Sequence, residues 1–304
     1  MLAFGNVMKV LVTGGCGFLG RHLVKQLQQE KIPIVVCGRK PSSPFADTDV
    51  TYVQCDLLKS NTARTLCAEF KPTHIIHLAW DNSSNYWTSE ANFLWLEAST
   101  RLIKEFYNNG GEYFLGAGTC VEYSPIATPR NEEDTPTNPN TIYGKAKLAL
   151  CKNLDLYSSL YEKKYMWARV FYMAGEYDKD SKLIPSFLKA MKNEEKFICN
   201  NSKSAMDYLD VRDVARALAL MLISSATGVC NIASGNSLRI RDLLTDLATT
   251  ASFPLEKITF EQTKLIEDII GNNSKLSSLG FKPKYSLAET FNTIIRSEVE
   301  KAYG

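Results

Sequence analysis

The sequence predicts an α/β protein with a doubly wound parallel sheet and a smaller C-terminal lobe. Through the first two-thirds of the chain, short apolar runs alternate with stretches of helical periodicity. Near the N-terminus, a glycine-rich turn joins the first apolar run to the first helical stretch. Strands that alternate with helices form βαβ units, which pair in parallel and carry helices on both faces of the sheet. These observations together predict a Rossmann-type sheet.

The glycine-rich turn lies within residues 10–20, between a β-branched strand and a helix. That order places a dinucleotide pyrophosphate at the N-terminus of a helix. Gly14 permits the tight turn, Gly17 lets the backbone approach the phosphates, and Gly20 lets the helix pack closely on the sheet. We therefore predict cofactor contacts at Gly14, Gly17, Phe18, Leu19 and Gly20.

The remaining elements continue this alternation and then depart from it. The predicted strands are Lys9–Val12, Ile34–Cys37, Thr51–Gln54, His74–His77, Tyr113–Gly116 and Met166–Phe171, and the predicted helices lie near 18–30, 60–70, 88–108 and 143–163. Beyond Gly175 the pattern is less regular. There we predict a helix over Ser181–Glu195 and a strand over Lys196–Cys199. A further helix begins near Asp210, with Asp213 as a capping residue. Another main-sheet strand follows over Val229–Ile232, and the last predicted helices lie near 239–250 and 286–300.

The change in pattern predicts two domains. Residues 1–175, with 207–235 returning to them, would form the dinucleotide-binding domain, and residues 176–206 and 236–304 the substrate-binding lobe. Ligands of open α/β sheets bind beyond the carboxyl ends of the strands. A lobe at that edge would close over a second substrate.

The residues after the second and third strands bear on the choice of cofactor. NAD-binding units carry an acidic residue about 20 positions past the glycines, but the second strand here ends without a carboxylate. Arg39 stands at that place, where its guanidinium could pair with a 2′-phosphate and stack on adenine, or lie solvated at the surface. NADP(H) is therefore favoured over NAD(H). Asp56, followed by Leu57, could meet the adenine amino group or cap the next turn.

Composition excludes several classes of protein. The chain has 304 residues, 45% hydrophobic and 22% charged, which suits a globular protein with a full core. A formal net charge of +2 predicts no nucleic-acid partner. No apolar run approaches the ~20 residues that span a membrane, and the N-terminus lacks the basic region of a signal peptide. Eight scattered cysteines and three histidines without zinc spacing predict reduced thiols, a cytoplasmic location and no metal, with His74 and His77 as sheet-end residues.

Three residues are candidates for acid–base chemistry. Tyr143 and Lys147 stand four positions apart, on one face of a helix that follows the fifth strand. A tyrosine with a pKa near ~10 transfers protons poorly at neutral pH, and a nearby ammonium would lower that pKa. The same lysine could bind the nicotinamide ribose. Thr119, just past the fifth strand, could hydrogen-bond the reacting oxygen against Tyr143.

The motifs together resemble the extended short-chain dehydrogenases/reductases of the NAD-dependent epimerase/dehydratase family, which act on nucleotide sugars. The resemblance covers nearly the whole chain and rests on Thr13–Gly20, His77–Trp80, Gly118–Tyr123, Tyr143–Lys147, Arg169–Gly175 and Tyr208–Ala215. It implies that Thr119, Tyr143 and Lys147 are catalytic. It also implies that Leu78 and Ala79 line the cofactor, with the backbone from Phe171 near the nicotinamide.

The resemblance also indicates where the substrate would bind and where this chain departs from the family. Tyr172 stands where relatives often have an asparagine that touches the substrate diphosphate, and Met206 where many have an arginine. Arg212 is a possible substitute for that arginine, or a partner of a neighbouring acid. Trp80 and Cys120, beside Thr119 and Tyr143, complete the predicted substrate contacts.

The choice of reaction rests on Arg39 and on the residues after Thr119. Epimerases and dehydratases of this family retain NAD and usually have an acid in place of Arg39, whereas a net reductase exchanges its cofactor. Dehydratases usually place Asp-Glu after the catalytic threonine, and this chain has Cys120-Val121. The resemblance therefore predicts NADPH-dependent reduction of the 4-keto group of a nucleoside-diphosphate 4-keto-6-deoxyhexose, in deoxysugar or surface-glycan biosynthesis.

Two alternatives stay open for the function. One is an NAD-dependent nucleotide-sugar epimerase, and the other is a catalytically silent NADP(H)-binding regulator or scaffold. The helix near 88–108 has a wide apolar face, which in this family often pairs with the helix from Tyr143 to form a homodimer. Packing within the domain would explain that face equally well. The aromatic residues Tyr86 and Trp87 could stack on a sugar or pack internally.

Overall fold

The computed structural model describes residues 8–45, 48–81, 83–126, 129–263 and 268–303. The chain divides into two compact units. The first contains the chain up to Ser124 together with Pro136–Arg169 and Ala215–Cys230. The second contains Pro125–Thr135, Val170–Val214 and the chain from Asn231 onward.

The first unit is built around a seven-stranded sheet. Its elements are β1 (Val10–Thr13), α1 (Phe18–Gln29), β2 (Ile34–Gly38), β3 (Thr51–Gln54), α2 (Thr62–Phe70), β4 (His74–His77), α3 (Ala91–Asn108), β5 (Tyr113–Thr119), α4 (Ile142–Leu160) and β6 (Lys164–Val170), with a short 3₁₀ helix over Cys120–Glu122. The later elements of the chain are β7 (Tyr172–Ala174), α5 (Leu183–Lys192), β8 (Phe197–Cys199), β9 (Ala205–Met206), β10 (Tyr208–Asp210), α6 (Val211–Ile223), β11 (Gly228–Ile232), β12 (Leu238–Arg239), α7 (Ile240–Thr250), β13 (Ile258–Phe260), α8 (Ser274–Ser278) and α9 (Leu287–Tyr303).

The strand order across the sheet is β11-β6-β5-β4-β1-β2-β3. The pairs of β1 with β2 and β4, of β2 with β3, and of β4 with β5 are parallel. The chain order therefore reverses between β1 and β4, which is the switch point of a doubly wound sheet. The predicted fold class is confirmed.

The central strands form the core because helices cover both faces of the sheet. Val10, Leu11 and Val12 in β1 and Ile75 and Ile76 in β4 are fully buried. Parallel strands buried on both faces appear in sequence as continuous apolar runs, which is how these strands were recognised. The predicted bounds of the third and fourth strands match β3 and β4.

Strand β5 runs beyond its predicted end at Gly116 and reaches Thr119. Gly116 and Gly118 lie within the strand, where Trp167 of the neighbouring strand crosses them. A Cβ atom on Gly118 would lie 2.2 Å from the Trp167 indole nitrogen. The glycines thus provide space for an indole ring, and the strand delivers Thr119 to the carboxyl edge of the sheet.

The histidines of β4 make structural hydrogen bonds. His77 is buried, with Nδ1 2.7 Å from the Thr13 hydroxyl and Nε2 2.8 Å from the Ser99 hydroxyl. Burial, with a smaller contribution from Lys147, lowers the pKa of His77 to about 3, so its imidazole is neutral at physiological pH. Within the described ranges, no group of three His, Cys, Asp or Glu residues is arranged to hold a metal ion.

The second unit contains small paired strands and helices. Strand β7 pairs in parallel with β10, β8 pairs in parallel with β13, and β9 pairs with β12 in antiparallel fashion. The helix predicted near Asp210 begins at Val211, so Asp213 lies in its first turn and the predicted capping role is wrong. The Asp213 carboxylate instead accepts the backbone N–H groups of Lys284 and Tyr285, just before α9. In the part of the chain that the structure describes, no helix combines the length and apolarity needed to span a membrane.

Candidate active site

The glycine-rich turn has the geometry of a phosphate cradle. Gly14 has a φ of +72°, in the left-handed region that favours glycine. A Cβ atom on Gly14 would lie 2.7 Å from the Ala79 nitrogen, and one on Gly20 would lie 2.2 Å from the Gly14 carbonyl oxygen. Helix α1 starts with Gly17 as its N-cap, with no side-chain cap and no acidic residue in its first turn. Phe18 and Leu19 open this helix, whose free N–H groups and positive end suit a dinucleotide pyrophosphate.

The residues predicted at the adenosine end follow β2 and β3. Arg39 is exposed directly after β2, and its guanidinium has no ion-pair partner among the described residues. Asp56 accepts the Leu58 N–H at 3.1 Å within its own turn, and it does not cap the following helix, whose N-cap is Asn61. Leu57, between Asp56 and Leu58, is buried. Since β2 and β3 are adjacent, the strand ends bring the basic and the acidic candidate to one edge of the sheet.

The structure brings Thr119 and Tyr143 together. Thr119 ends β5 and is nearly buried. Thr141 caps α4 by accepting the Gly144 N–H at 3.0 Å, which places Tyr143 in the first turn of the helix. The Thr119 side chain acts on the Tyr143 phenol and lowers its pKa against the larger effect of burial. Cys120, next along the chain, is buried beside them.

Lys147 lies one turn further along α4, and its ammonium is not directed at the phenol as predicted. Its Nζ donates to the Ala117 carbonyl oxygen at 2.8 Å and lies 4.1 Å from the ring centroid of Trp80. Burial, followed by the neighbouring Tyr86, raises the pKa of Tyr143. The expectation that Lys147 lowers this pKa is therefore wrong for this arrangement, because a carbonyl and an indole occupy the ammonium. Burial in turn lowers the pKa of Lys147 to about 7.

A buried ionic network fixes the end of β5, and sequence reasoning missed it. The fully buried Glu122 carboxylate accepts the Thr119 N–H at 2.8 Å and the Trp167 indole N–H at 3.0 Å. It also pairs with the Arg169 guanidinium at 2.9 Å. The Thr119-x-x-Glu122 spacing is that of a capping box, which is the signal that could have identified Glu122.

Aromatic side chains surround Tyr143. The rings of Tyr86 and Trp87 meet its ring edge-to-face, with centroids at 5.0 and 5.8 Å. The Tyr143 N–H also donates to the Trp87 carbonyl oxygen at 3.2 Å. The buried Asn92 holds this segment by donating to the Tyr86 carbonyl oxygen at 2.7 Å. These contacts fix the phenol between a hydroxyl partner and two rings.

The cofactor-side candidates after β4 are held by β1. The Leu78 N–H donates to the Thr13 carbonyl oxygen at 3.1 Å, and the Ala79 N–H to the Thr13 hydroxyl at 3.3 Å. The backbone of Leu78 and Ala79 also lies directly against Gly14, so both residues adjoin the glycine turn. Trp80 follows, with its indole N–H bound to the Asn92 side chain at 2.9 Å.

The other three candidates lie in the second unit. Phe171 is buried and donates its N–H to the Ile232 carbonyl oxygen at 3.0 Å. Tyr172 lies in β7, with its ring 5.4 Å from that of Tyr208. Arg212 forms a two-point ion pair with Asp210, at 2.8 and 2.6 Å, as one of the two interpretations predicted.

The fold and this constellation define a dinucleotide-binding α/β protein. Residues 10–233 match the model of the NAD dependent epimerase/dehydratase family, so the chain belongs to that family, which comprises nucleotide-sugar epimerases, dehydratases and reductases. The resemblance stated from the motifs is thereby confirmed.

The proteins that this chain resembles have names that refer to several different reactions. The chain is 25% identical over 239 residues to a dTDP-6-deoxy-L-talose 4-dehydrogenase (NAD(+)) of Aggregatibacter actinomycetemcomitans, covering 77% of this chain and 87% of the relative. It is 26% identical over 311 residues to a dTDP-4-dehydro-6-deoxyglucose reductase of Escherichia coli, covering 95% and 96%. A UDP-glucose 4-epimerase from Thermotoga maritima, solved with UDP-glucose, has the same fold, with a TM-score of 0.87, 21% identity, and coverage of 97% and 100%.

Proposed function

We propose that this protein reduces the 4-keto group of a nucleoside-diphosphate 4-keto-6-deoxyhexose with NADPH. The observation that carries the proposal is the juxtaposition of Thr119, at the end of β5, with Tyr143, in the first turn of α4, whose pKa responds to the Thr119 side chain. A raised pKa keeps the Tyr143 phenol protonated through the neutral range. A protonated phenol is the form that donates to an oxygen gaining negative charge.

Each residue has a distinct part in this proposal. Thr119 donates a hydrogen bond to the ketone oxygen and holds it against Tyr143, which transfers its hydroxyl proton to that oxygen as the C4 alcohol forms. When bound, the reduced nicotinamide supplies the hydride that adds to C4. The glycine turn and the residues after β4 would hold the dinucleotide, and Lys147 would bind its ribose hydroxyls. Positioning and a donor aimed at developing charge supply the acceleration.

The state of Glu122 favours reduction over reactions that remove a carbon-bound proton. Dehydration requires a base free to accept such a proton from the sugar. Glu122 is the carboxylate that acts on the pKa of Tyr143, and it is occupied by Arg169, Trp167 and the Thr119 backbone. Simple reduction needs a hydride and an acid, but no such base.

Arg39 supports NADPH as the cofactor. Its exposed guanidinium follows β2, where a 2′-phosphate would lie, and no described acid neutralises it. Guanidinium–phosphate pairs are short and charge-assisted. The relative with the talose name uses NAD(+), so direct comparison of the two cofactors is part of the test.

The experiment is NADPH oxidation followed by absorbance with dTDP-4-keto-6-deoxyglucose, and the alcohol product identified by NMR. Tyr143→Phe should lower kcat at least 10²-fold, the usual contribution of a general acid. Tyr157→Phe, on the same helix, is the matched control and should retain wild-type turnover. Near-normal turnover by Tyr143→Phe would overturn the assignment.

The second candidate is a nucleotide-sugar epimerase, favoured by the likeness to UDP-glucose 4-epimerase in fold. An epimerase returns the hydride to its substrate and keeps its cofactor. Protein that purifies with stoichiometric NAD⁺ and interconverts UDP-glucose and UDP-galactose without net NADPH use would replace the reductase proposal. Binding of NADPH without either turnover would instead favour the silent regulator or scaffold.

We further propose that the protein is a homodimer through α3 and α4. These helices pack on each other, yet Phe93, Leu94, Leu156 and Leu160 are each more than half exposed. Water-exposed apolar side chains on two adjacent helices are typical of a surface covered by a partner. All eight cysteines lie in the described part of the chain and are free thiols, which supports a reducing location such as the cytoplasm.

A further inference from the structure

We propose that Trp80 is a positioning residue whose indole face holds the Lys147 ammonium in its charged form, rather than a surface on which the sugar stacks. The inference rests on the proposed function for the catalytic importance of Lys147. It goes beyond that function because Trp80 is a residue of this chain that neither the reaction nor the cofactor requires.

The first observation is the contact itself. The Lys147 Nζ lies 4.1 Å from the Trp80 ring centroid, well within the range of a cation–π interaction, and Trp gives the strongest such contact. Lys147 is buried, with 3% of its surface exposed, so water does not compete for the ammonium. An ammonium has three donors, and among described residues the Ala117 carbonyl oxygen takes one of them at 2.8 Å. The indole face therefore supplies much of the remaining stabilisation of the charge.

The second observation is that the indole cannot easily turn away. Its N–H donates to the Asn92 Oδ1 at 2.9 Å, and its ring stacks on Trp95 at a centroid distance of 6.4 Å. Asn92 is fully buried and also donates to the Tyr86 and Ser89 carbonyl oxygens at 2.7 and 2.9 Å. A face fixed in this way is a preformed seat for a cation. An indole kept for sugar stacking would not need its other face or its N–H committed to the interior.

The described ionisable groups around Lys147 leave its ammonium without a strong ion pair, so the contact with the indole matters for its charge. Glu122 raises the pKa of Lys147, but its carboxylate is already shared with Arg169 and Trp167. His77 is neutral, and Tyr143 on the same helix is held protonated by burial. Among the described residues, Glu122 is the ionisable group that shifts the pKa of Lys147. Burial leaves that pKa at about 7, so any contact that favours the ammonium changes its charge near neutral pH.

The test is NMR titration of the lysine side chains in cofactor-free protein labelled with ¹³C at lysine Cε. Lys147 is assigned by the signal absent from Lys147→Met. In the wild type, its Hε protons should be shifted upfield by the ring current of the indole. In Trp80→Leu, this upfield shift should disappear and the titration midpoint should fall by about one pH unit, the size of a desolvated cation–π contact.

Two controls separate this effect from a general loss of packing. Trp80→Phe keeps an aromatic face without the N–H and should lower the midpoint less than Trp80→Leu does. Trp95→Leu removes the neighbouring indole but keeps the Asn92 hydrogen bond that holds the Trp80 ring, and should change the upfield shift and the midpoint much less than Trp80→Leu does. Circular dichroism reports whether each variant is folded.

A measurement on the unmutated fold covers the case in which Trp80→Leu does not fold. Biosynthetic replacement of tryptophan by 5-fluorotryptophan keeps the ring size but weakens the negative potential of its face, and should lower the Lys147 midpoint. Equal midpoints in the wild-type and fluorinated proteins would overturn the proposal, as would a Trp95→Leu shift as large as that of Trp80→Leu. Because no substrate is present, failure of the reductase proposal would appear in the turnover assay and leave this titration unaffected.

Discussion

Arg169→Leu tests the buried ionic network more directly than any other substitution. The change removes the guanidinium that pairs with Glu122 at 2.9 Å and leaves the carboxylate at 0% exposure. Two donors remain to it, the Trp167 indole N–H and the Thr119 backbone N–H. The variant therefore keeps a charge in the interior with two hydrogen bonds but without its ion pair.

The expected loss of unfolding free energy follows from the groups that remain around Glu122. Breaking a buried ion pair by removing one partner costs about 3–5 kcal/mol of unfolding free energy. Because two donors still contact Glu122, we expect the lower end, about 3 kcal/mol. Burial already raises the pKa of Glu122 against the opposing effect of Arg169, and the variant should raise it further. A carboxyl group whose folded pKa exceeds its unfolded value penalises the folded state at high pH, so the deficit should shrink as pH falls from about 8 to about 5.

The assay is urea unfolding of wild type, Glu122→Gln, Arg169→Leu and the double variant, followed by circular dichroism at several pH values. The double variant removes both charges, while Gln can still accept from Trp167 and Thr119. It should therefore lose less stability than the sum of the two single changes. A deficit below about 1 kcal/mol for Arg169→Leu, a deficit that grows on acidification, or strict additivity would refute the reasoning.

Three further predictions concern the cofactor, the assembly and the lysine. Arg39→Glu should weaken NADPH binding roughly 10-fold or more, measured by isothermal calorimetry, and leave NADH binding unchanged. The control Lys40→Glu should affect the binding of both cofactors equally. If Arg39→Glu weakened the binding of NADPH and NADH equally, Arg39 would not be the residue that binds the 2′-phosphate. Leu156→Glu and Leu160→Glu together should convert the proposed dimer to a folded monomer in analytical ultracentrifugation, and an unchanged mass would argue against this surface. Burial lowers the pKa of Lys147 to about 7 in the folded protein, from ~10.4 in the unfolded chain. Between these two pH values the unfolded chain binds one proton more than the folded protein, so the free energy of unfolding should rise with pH over this range. Lys147→Met should show a smaller rise, and equal slopes would contradict the burial effect.

Features with local causes were predictable from the sequence. The strand, glycine turn and helix at residues 10–29 follow from a β-branched run, a left-handed Gly14 and an amphipathic helix, all adjacent along the chain. Strand β4 was predicted to the residue because its four residues are buried around an apolar pair, as expected of a central parallel strand. The bounds of β3 were also predicted to the residue, although it is an edge strand with exposed and half-buried residues. The i,i+4 spacing of Tyr143 and Lys147 likewise needed only helical geometry.

Features that depend on distant residues were not predictable. The partners of Glu122 lie 45 and 47 residues away, at Trp167 and Arg169, and nothing in local spacing indicates that they share its carboxylate. The extension of β5 from Gly116 to Thr119 was missed because the indole that crosses Gly116 and Gly118 belongs to another strand.

The sequence by itself determined the sheet, the glycine turn and the helical spacing of Tyr143 and Lys147, since each depends on neighbours along the chain. Only the tertiary structure decided the electrostatic state of those side chains. Spacing suggested that Lys147 acidifies Tyr143, whereas folding directs the ammonium to Ala117 and Trp80 and surrounds the phenol with rings. A pKa depends on burial and on charges within a few ångströms, and these are fixed only when distant segments pack together.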